Sequence, residues 1–516
     1  MTGDRVSAEP TALKNAAADR RWALGLGALA TVAYLLTAPG VVNPDGLGYL
    51  KLLPYNFAAG HLLYMPLLRL ATRLVGGNGL EAGRLCNALL GGSGVVLFFG
   101  IVRRVAGDAG LLAADARFAA AVASLGLMLS YGYWVQGSDV EAYAAAIVAL
   151  LMLLRLIVAY RRRPTVPRAL AVGASLGVAV LFHLTHVCAT VLVLAALSRF
   201  GRRAHALLAV ATGGAISLGA YAWAALVVRG HDLDGAVRWV ATAAHGFHQS
   251  GGAYRVADAV YGLAKSLIWS PYLYEADAPK LLGQFLLGFL PLAALGVWTW
   301  SRAQARTLPA LDGALGLAWV VPYSLLGVLF FGSDSERWLF VLPAAWLLAG
   351  VLSAGSVRRA KKAAWIVVYV GALNLLTGIL PAHRDTWTRR RAELVGALFH
   401  DGDAVIFPGH SWDEYLGFYS RAKVWPVPLV YYAARDGSDE GWRRCEREVA
   451  AALMRGGQIY AVRFYGDEGD PRGFTELGEL GISREQARDR LSSGRRVVPI
   501  DSPLPGISVV RLDPIL

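Results

Sequence analysis

Long apolar blocks alternate with short polar junctions along the chain, and the length of the blocks sets the fold class. The clearest are Trp22–Val42, Leu85–Val102, Arg117–Tyr133, Ala142–Tyr160, Ala206–Val228, Leu281–Trp300, Gly313–Phe331, Trp338–Val357 and Ala363–Leu380. A block of about 20 apolar residues spans a bilayer as a helix. The pattern therefore predicts a polytopic α-helical membrane protein. Trp22–Val42 is long for a signal peptide and no small-residue cleavage site follows it, so it reads as a retained helix.

One stretch breaks the pattern. Ala169–Phe200 is too long for one helix and has basic clusters at both ends, yet two helices would each have only about 15 residues. The polar run His183-Leu184-Thr185-His186 lies at its middle. A short hairpin is predicted, with its turn below the membrane surface beside a cavity, where irregular backbone is tolerated. Counting it as two helices gives about 11 crossings. Past His383 the pattern changes again. Asp403–Gly409, as a buried strand ending in a turn, Val424–Tyr432, Gln458–Phe464 and Gly506–Leu512 read as strands, and Ser411–Tyr419 and Gly441–Arg455 as helices, the first capped by Ser411. Pro426 and Pro428 confine their strand to an edge or a break. Alternating strands and helices predict a small α/β domain.

Charge orients this framework. The 50 Lys and Arg outnumber the 37 Asp and Glu, giving a net charge of +13. The excess clusters at Arg20-Arg21, Arg103-Arg104, Arg161-Arg162-Arg163, Arg199 to Arg203, Arg302 with Arg306, and Arg358 to Lys362, at every second junction. The positive-inside rule makes these junctions cytoplasmic. The charge is topological, so nucleic acid is not an expected partner; anionic membrane lipids are. The expected layout is a cytoplasmic tail over 1–21, a transmembrane domain over 22–382 and an extracytoplasmic α/β domain over 383–516. Loops 43–84 and 229–280 mix apolar and polar residues and are expected to hold helices lying in the interface. Trp239, Trp269, Tyr272 and Tyr274 are the expected anchors of the second loop. Cys86, Cys188 and Cys445 form no spaced pair, which excludes a disulfide framework or a zinc motif.

Candidate chemistry gathers on the side opposite the basic clusters. Asp45 follows the first block, in a predicted tight loop with Pro44, Gly46 and Gly48. It is either a solvated turn acid or a carboxylate aimed at a substrate. Arg337 suits a phosphate, or snorkels, or pairs with Asp334 or Glu336. Arg84 is a weaker second clamp, or an interfacial anchor. Asp139 and Glu141, after Tyr131, Tyr133 and Trp134, offer carboxylates and aromatic faces suited to a sugar, or form a solvated loop. His61, His183 and His186 are either hydrogen-bond partners in a cavity or packed turn residues; on a helix the last two would share a face. Pro291, Pro322 and Pro343 mark kinks, and Gly91-Gly92-Ser93-Gly94 marks close helix packing.

Taken in order, several runs resemble the GT-C superfamily of membrane glycosyltransferases, nearest to its protein O-mannosyltransferase and aminoarabinose-transferase side. They are Pro44-Asp45-Gly46 with Gly48-Tyr49; Gly60-His61-Leu62-Leu63-Tyr64-Met65-Pro66-Leu67; Ala82-Gly83-Arg84-Leu85 with Asn87-Ala88-Leu89; Trp134 with Asp139 to Tyr143; His183 to His186; and Glu336 to Pro343. Two departures stand out. Gly46 follows Asp45 where an acidic pair is usual, and His61–Pro66 replaces a Lys-Pro-Pro run. The resemblance implies a donor sugar carried on a polyprenyl phosphate and an acceptor hydroxyl on the outer side, supplied by protein, lipid or polysaccharide. It implies Asp45 as general base, with Tyr49, Tyr64 and the polar residues named above binding substrate. No cofactor is required; a divalent metal held by the carboxylates is the lesser alternative. The implied location is a bacterial inner membrane. Two other functions fit a polytopic chain: a transporter or flippase for lipid-linked sugars, which should show repeated halves, and a non-catalytic assembly protein.

Overall fold

The computed structural model describes residues 5–53, 57–241, 255–269, 313–329, 334–353, 357–436, 438–465, 474, 477–478, 480–504 and 507–515. The block Leu281–Trp300, Pro291, Tyr272 and Tyr274 lie outside the described residues. Internal contacts divide the chain into two compact units. One comprises Met1–Pro39 with Tyr49–His383; the other comprises Gly40–Gly48 with Arg384–Leu516.

The first unit is helical. In chain order its elements are α1 (Arg5–Leu36), α2 (Pro44–Leu52, which begins in the second unit), α3 (Tyr64–Leu74), α4 (Gly79–Asp108), α5 (Ala113–Leu129), α6 (Tyr131–Ser138), α7 (Tyr143–Arg162), α8 (Val166–Phe182), α9 (Ala189–Phe200), α10 (Arg203–Ala222), α11 (Leu233–Ala241), α12 (Arg255–Leu267), α13 (Gly313–Leu329), α14 (Leu342–Ser353) and α15 (Val357–Asn374). Among the described residues, four helical stretches are long and apolar enough to cross a membrane: α4, α7, α10 with its π-helical extension to Val228, and Lys361–Gly396; a fifth is added if the bent pair α5–α6 counts as one span. Helices α8, α9, α13 and α14 are apolar but shorter.

Helix α4 is central, packed by α1, α3, α5, α6 and α7. Its Gly91-Gly92-Ser93-Gly94 run lets neighbours approach its backbone. A Cβ on Gly91 would lie 2.8 Å from the ring of Tyr34, and one on Gly92 would lie 2.6 Å from the Gly27 carbonyl. Tyr34 cannot move aside: it is fully buried and its hydroxyl donates to the Met128 carbonyl at 2.9 Å. Gly91→Val is therefore expected to destabilise the helical unit by about 1–3 kcal/mol through overpacking. A fall in the thermal unfolding midpoint in detergent measures it; an unchanged midpoint contradicts the packing argument.

Two predicted features change shape. The block Arg117–Tyr133 reads as one straight helix, but α5 stops at Leu129 and α6 leaves at 66°. Extended Ser130 is the break; its Oγ donates to the Gly126 carbonyl at 2.7 Å and accepts from Trp346 Nε1 at 2.8 Å. Pro44-Asp45-Gly46 is not a tight loop but the first turn of α2, because the Asn43 side chain accepts the Asp45 N–H at 3.0 Å and its carbonyl accepts from Leu47. Pro at a helix start needs no N–H partner. Pro343 likewise opens α14, whereas Pro322 lies inside α13. Trp239 is not an exposed anchor: it is buried, with the Arg229 guanidinium 5.1 Å above its ring.

The second unit holds a five-stranded sheet. Its strands are β1 (Ala404–Phe407), β2 (Trp425–Pro428), β3 (Ile459–Val462), β4 (Arg495–Ile500) and β5 (Val509–Pro514), ordered β2-β1-β3-β5-β4. β1 pairs parallel with β2 and β3, and β5 antiparallel with β3 and β4. Pro426 and Pro428 sit on the edge strand β2, where a missing donor costs least. The expected strand Val424–Tyr432 ends at Pro428, and Leu429–Asp436 is helical. The last strand starts at Val509 rather than Gly506. The helix His410–Tyr419 begins before Ser411, with Gly409 at its N-cap.

Candidate active site

The break in the α8–α9 hairpin organises the site. α8 ends at His183, whose backbone is extended, and a 3-10 turn over Leu184–Cys188 leads into α9. Ending a helix there leaves carbonyls without intrahelical partners. The first loop supplies one: the Leu63 N–H donates to the Leu181 carbonyl at 3.0 Å, while the Leu184 N–H donates to the Gly60 carbonyl at 3.1 Å. This stitching brings His61 beside His183, with ring centroids 4.6 Å apart.

Hydrogen bonding separates the roles of the three histidines. His61 Nδ1 meets the Phe182 carbonyl at 3.3 Å, so that nitrogen carries the proton. His186 is fully engaged: Nε2 donates to the Ala146 carbonyl at 3.0 Å and Nδ1 accepts from the Tyr323 hydroxyl at 2.7 Å. Its ring packs on Phe340 at 4.5 Å, which makes it a structural residue. His183 differs. Nδ1 accepts the Thr185 backbone N–H at 3.3 Å, which leaves the proton on Nε2. His183 is 5% exposed, and its Nε2 is buried with no hydrogen-bond partner among the described residues. A buried donor without an acceptor is costly, and among the three histidines His183 alone carries one.

Burial holds His61 neutral: desolvation first, opposed by the Phe182 hydrogen bond and aided by the Arg337 charge, lowers its pKa to about 4. The unfolded chain, with an ordinary imidazole near 6.5, takes up the proton first, so stability rises with pH between about 4 and 6.5. The gap, 6.5 minus 4, corresponds to about 3 kcal/mol, present above pH 6.5 and lost as pH falls towards 4. Thermal melts from pH 7 to 4 should show a shallower acid loss for His61→Gln than for the native chain. Parallel curves would show that His61 titrates normally.

Arg337 stands on the same cluster. It lies in a 3-10 turn, Ser335–Trp338, capped by Asp334, whose Oδ1 accepts the Glu336 N–H at 3.0 Å. The long helix of the apolar block Trp338–Val357 starts only at Leu342, so Arg337 sits in the preceding turn and not at that helix's end. Its Nη1 donates to the Tyr143 hydroxyl at 3.1 Å and its Nε lies 3.6 Å from Asp334. Its charge reaches both His61 and His183. Tyr143 in turn packs 4.8 Å from the His183 ring.

The acids line the neighbouring loop. Asp139 and Glu141 are buried between α6 and α7, not solvated. Asn87, deep in α4, fixes this loop by donating to the Asp139 and Glu141 carbonyls at 2.7 and 2.6 Å, and its Oδ1 accepts from Tyr64 at 3.4 Å. Tyr64 also packs on Tyr49 at 5.1 Å, and Tyr49 on His61 at 5.8 Å. Gln136 on α6 donates to Glu336 at 3.1 Å. The structure thus brings together Tyr49, His61, Tyr64, Asp139, Glu141, His183, His186 and Arg337. Arg84 instead donates to the Pro39 carbonyl. Asp45 belongs to the second unit, exposed in the first turn of α2. Among the described residues no three His, Cys, Asp or Glu side chains come together to hold a metal ion. Tyr143, Asn87, Gln136 and Phe340 complete the cluster and were not read as site residues from the sequence. The one available signal was an amide inside an apolar helix, which demands a partner.

The helical unit with its broken hairpin, followed by a C-terminal α/β unit, is a fold found in other proteins. Solved structures share it along nearly the whole chain. ArnT from Cupriavidus metallidurans bound to undecaprenyl phosphate matches at TM-score 0.58 and 17% identity over 95% of this chain and 98% of that one. The same protein in the apo state matches at 0.54 and 15%, over 95% and 97%. The Archaeoglobus fulgidus oligosaccharyltransferase tethered with an acceptor peptide matches at 0.50 and 12%, over 96% and 74%. No family model and no curated protein matches the sequence.

Proposed function

We propose that the protein is a membrane glycosyltransferase that moves a sugar from a polyprenyl-phosphate donor to an acceptor hydroxyl on the extracytoplasmic side. The observation that carries this reading is a pair of donors in one cluster, the half-buried Arg337 guanidinium and the buried His183 Nε2–H, which has no partner among the described residues, set among aromatic rings. Donors held in place beforehand suit phosphate oxygens and the charge that grows on them. The ArnT structure of the same fold holds undecaprenyl phosphate.

The chemistry follows from the donor. The acceptor oxygen forms a bond to the anomeric carbon while the bond from that carbon to the phosphate oxygen breaks, inverting the centre. The acceptor proton passes to the Asp45 carboxylate, and the electron pair leaves on the lipid phosphate. A phosphate ester leaves without protonation, so one base and one cationic clamp suffice, unlike the two carboxylates of a glycosidase. Arg337 holds the phosphate, His183 donates to it or to the sugar, and Tyr49, Tyr64 and Tyr143 wall the site. Among the described residues Tyr143 and Asp334 hold Arg337 in place.

The test is transfer by the purified protein in lipid nanodiscs, read as polyprenyl phosphate released from a synthetic polyprenyl-phosphate sugar in the presence of a hydroxyl acceptor. Release that depends on acceptor and on Asp45 supports the reading. Release undiminished in Asp45→Asn removes Asp45 as the base, and movement of intact donor between leaflets without release points to a transporter.

A further inference from the structure

At the basic ends of α4 and α7, far along both helices from Asn87 and Tyr143, a second polar feature stands apart from the cluster above. A cavity of about 90 Å³ lies between the two helices, lined by Gly100, Ile101 and Arg104 of α4 and Arg155 and Val158 of α7. The basic residues around it fall into two groups. Arg103 and Arg117 both pair with Asp19, at 2.9 and 2.6 Å, and Arg162 pairs with Asp108 at 2.5 Å. Arg104 and Arg155 make no ion pair or hydrogen bond among the described residues, and each adds to a local field that already includes Arg162. The nearby carboxylate, Asp108, acts on Arg104 but is held in the pair with Arg162, so the two guanidinium groups at the cavity have only part of their charge offset and suit an added anion.

The position selects the kind of anion. Arg155 is seven residues before the end of α7, so about 10 Å along the axis from it, on an exposed face of an apolar helix. An arginine at that depth is costly against hydrocarbon unless its head reaches a polar group. Gly100 faces Arg155: a Cβ there would lie 3.9 Å from Arg155 Nη1, an ordinary contact distance. Two guanidinium groups around a shallow recess match the oxygens of a phosphate diester, and a recess open at the side of the bundle admits one that arrives with its lipid.

We infer that Arg104 and Arg155 form a binding site for the phosphate of an anionic lipid headgroup at the basic end of the α4–α7 pair. The site does not depend on the transferase reading, and it is tested without turnover. The protein is reconstituted in phosphatidylcholine nanodiscs with and without phosphatidylglycerol, and its thermal midpoint is recorded; inorganic phosphate is added to a separate phosphatidylcholine sample. The native chain is expected to gain stability with phosphatidylglycerol, by mass action on the folded state. Arg104→Gln/Arg155→Gln should lose that gain, while Arg161→Gln/Arg163→Gln, which removes the same charge outside the cavity, should keep most of it. Arg337→Gln should keep it in full, which separates this site from the proposed donor site. An equal gain from inorganic phosphate keeps the phosphate site but assigns it to a free anion. If the cavity variant responds to phosphatidylglycerol like the native chain, or if both arginine pairs lose the gain equally, the lipid acts on the basic rim as a whole and the inference falls.

Discussion

Asp45→Asn is expected to fold normally, to retain polyprenyl phosphate and to transfer sugar about 10²- to 10⁴-fold more slowly, the range that a positioned general base supplies. The substitution keeps the shape of the side chain and removes only its capacity to accept a proton. Asp45 is exposed, and the Asn43 side chain and backbone carbonyl start α2 by accepting the Asp45 and Leu47 N–H groups. An acid in the first turn also suits the helix start, but that contribution is only about 0.3–1 kcal/mol, too small to reduce turnover a hundredfold by unfolding. Melting temperature and turnover should therefore separate. Asp45→Glu, which keeps the base but moves it, should recover part of the loss. The outcome that removes Asp45 from the mechanism is a native rate in Asp45→Asn; an equal loss of rate and stability would make it a structural acid.

The helical unit and its chemistry were unevenly legible in the sequence. The hairpin around His183 could be read because two constraints met there: basic clusters at both ends and a stretch too long for one span and too short for two. The break in the structure falls at His183, with α8 and α9 on either side. The kink between α5 and α6 was not legible. Its cause is Ser130, which is held by Trp346 from a helix more than two hundred residues later, and hydropathy carries no trace of that contact. The α2 start was misread for a similar reason: Pro and Gly suggest a turn, but Asn43 one residue earlier caps a helix. At the site, charged residues drew attention and neutral ones did not. Asp139 and Glu141 were readable as acids, yet their burial is set by Asn87, whose amide grips two carbonyls of their loop. His183 and His186 are three residues apart and looked equivalent. Only the partners of His186, Tyr323 and the Ala146 carbonyl, show that one is satisfied and the other is not.

Arg337→Gln is expected to cost about 10²- to 10³-fold in kcat, the usual loss when one preorganised donor is taken from developing negative charge. The argument rests on where the guanidinium is held. Asp334 and the Tyr143 hydroxyl fix its orientation on the cluster that contains His61 and His183. Gln can still reach Tyr143 with a neutral amide, so packing survives while the charge is lost. Binding of the donor lipid should weaken less than turnover, because a ground-state phosphate diester carries less charge than the departing monoester. The split is therefore a large fall in kcat with a smaller rise in KM. Arg337→Lys tests geometry against charge: an ammonium restores the charge but not the fork, so it should recover only part of kcat. His183→Phe adds an independent check, since it removes the Nε2–H but keeps the ring against Tyr143 and Phe340. If Arg337→Gln lowers the melting temperature and leaves kcat intact, Arg337 serves the Ser335–Trp338 turn and the phosphate must be held by other residues.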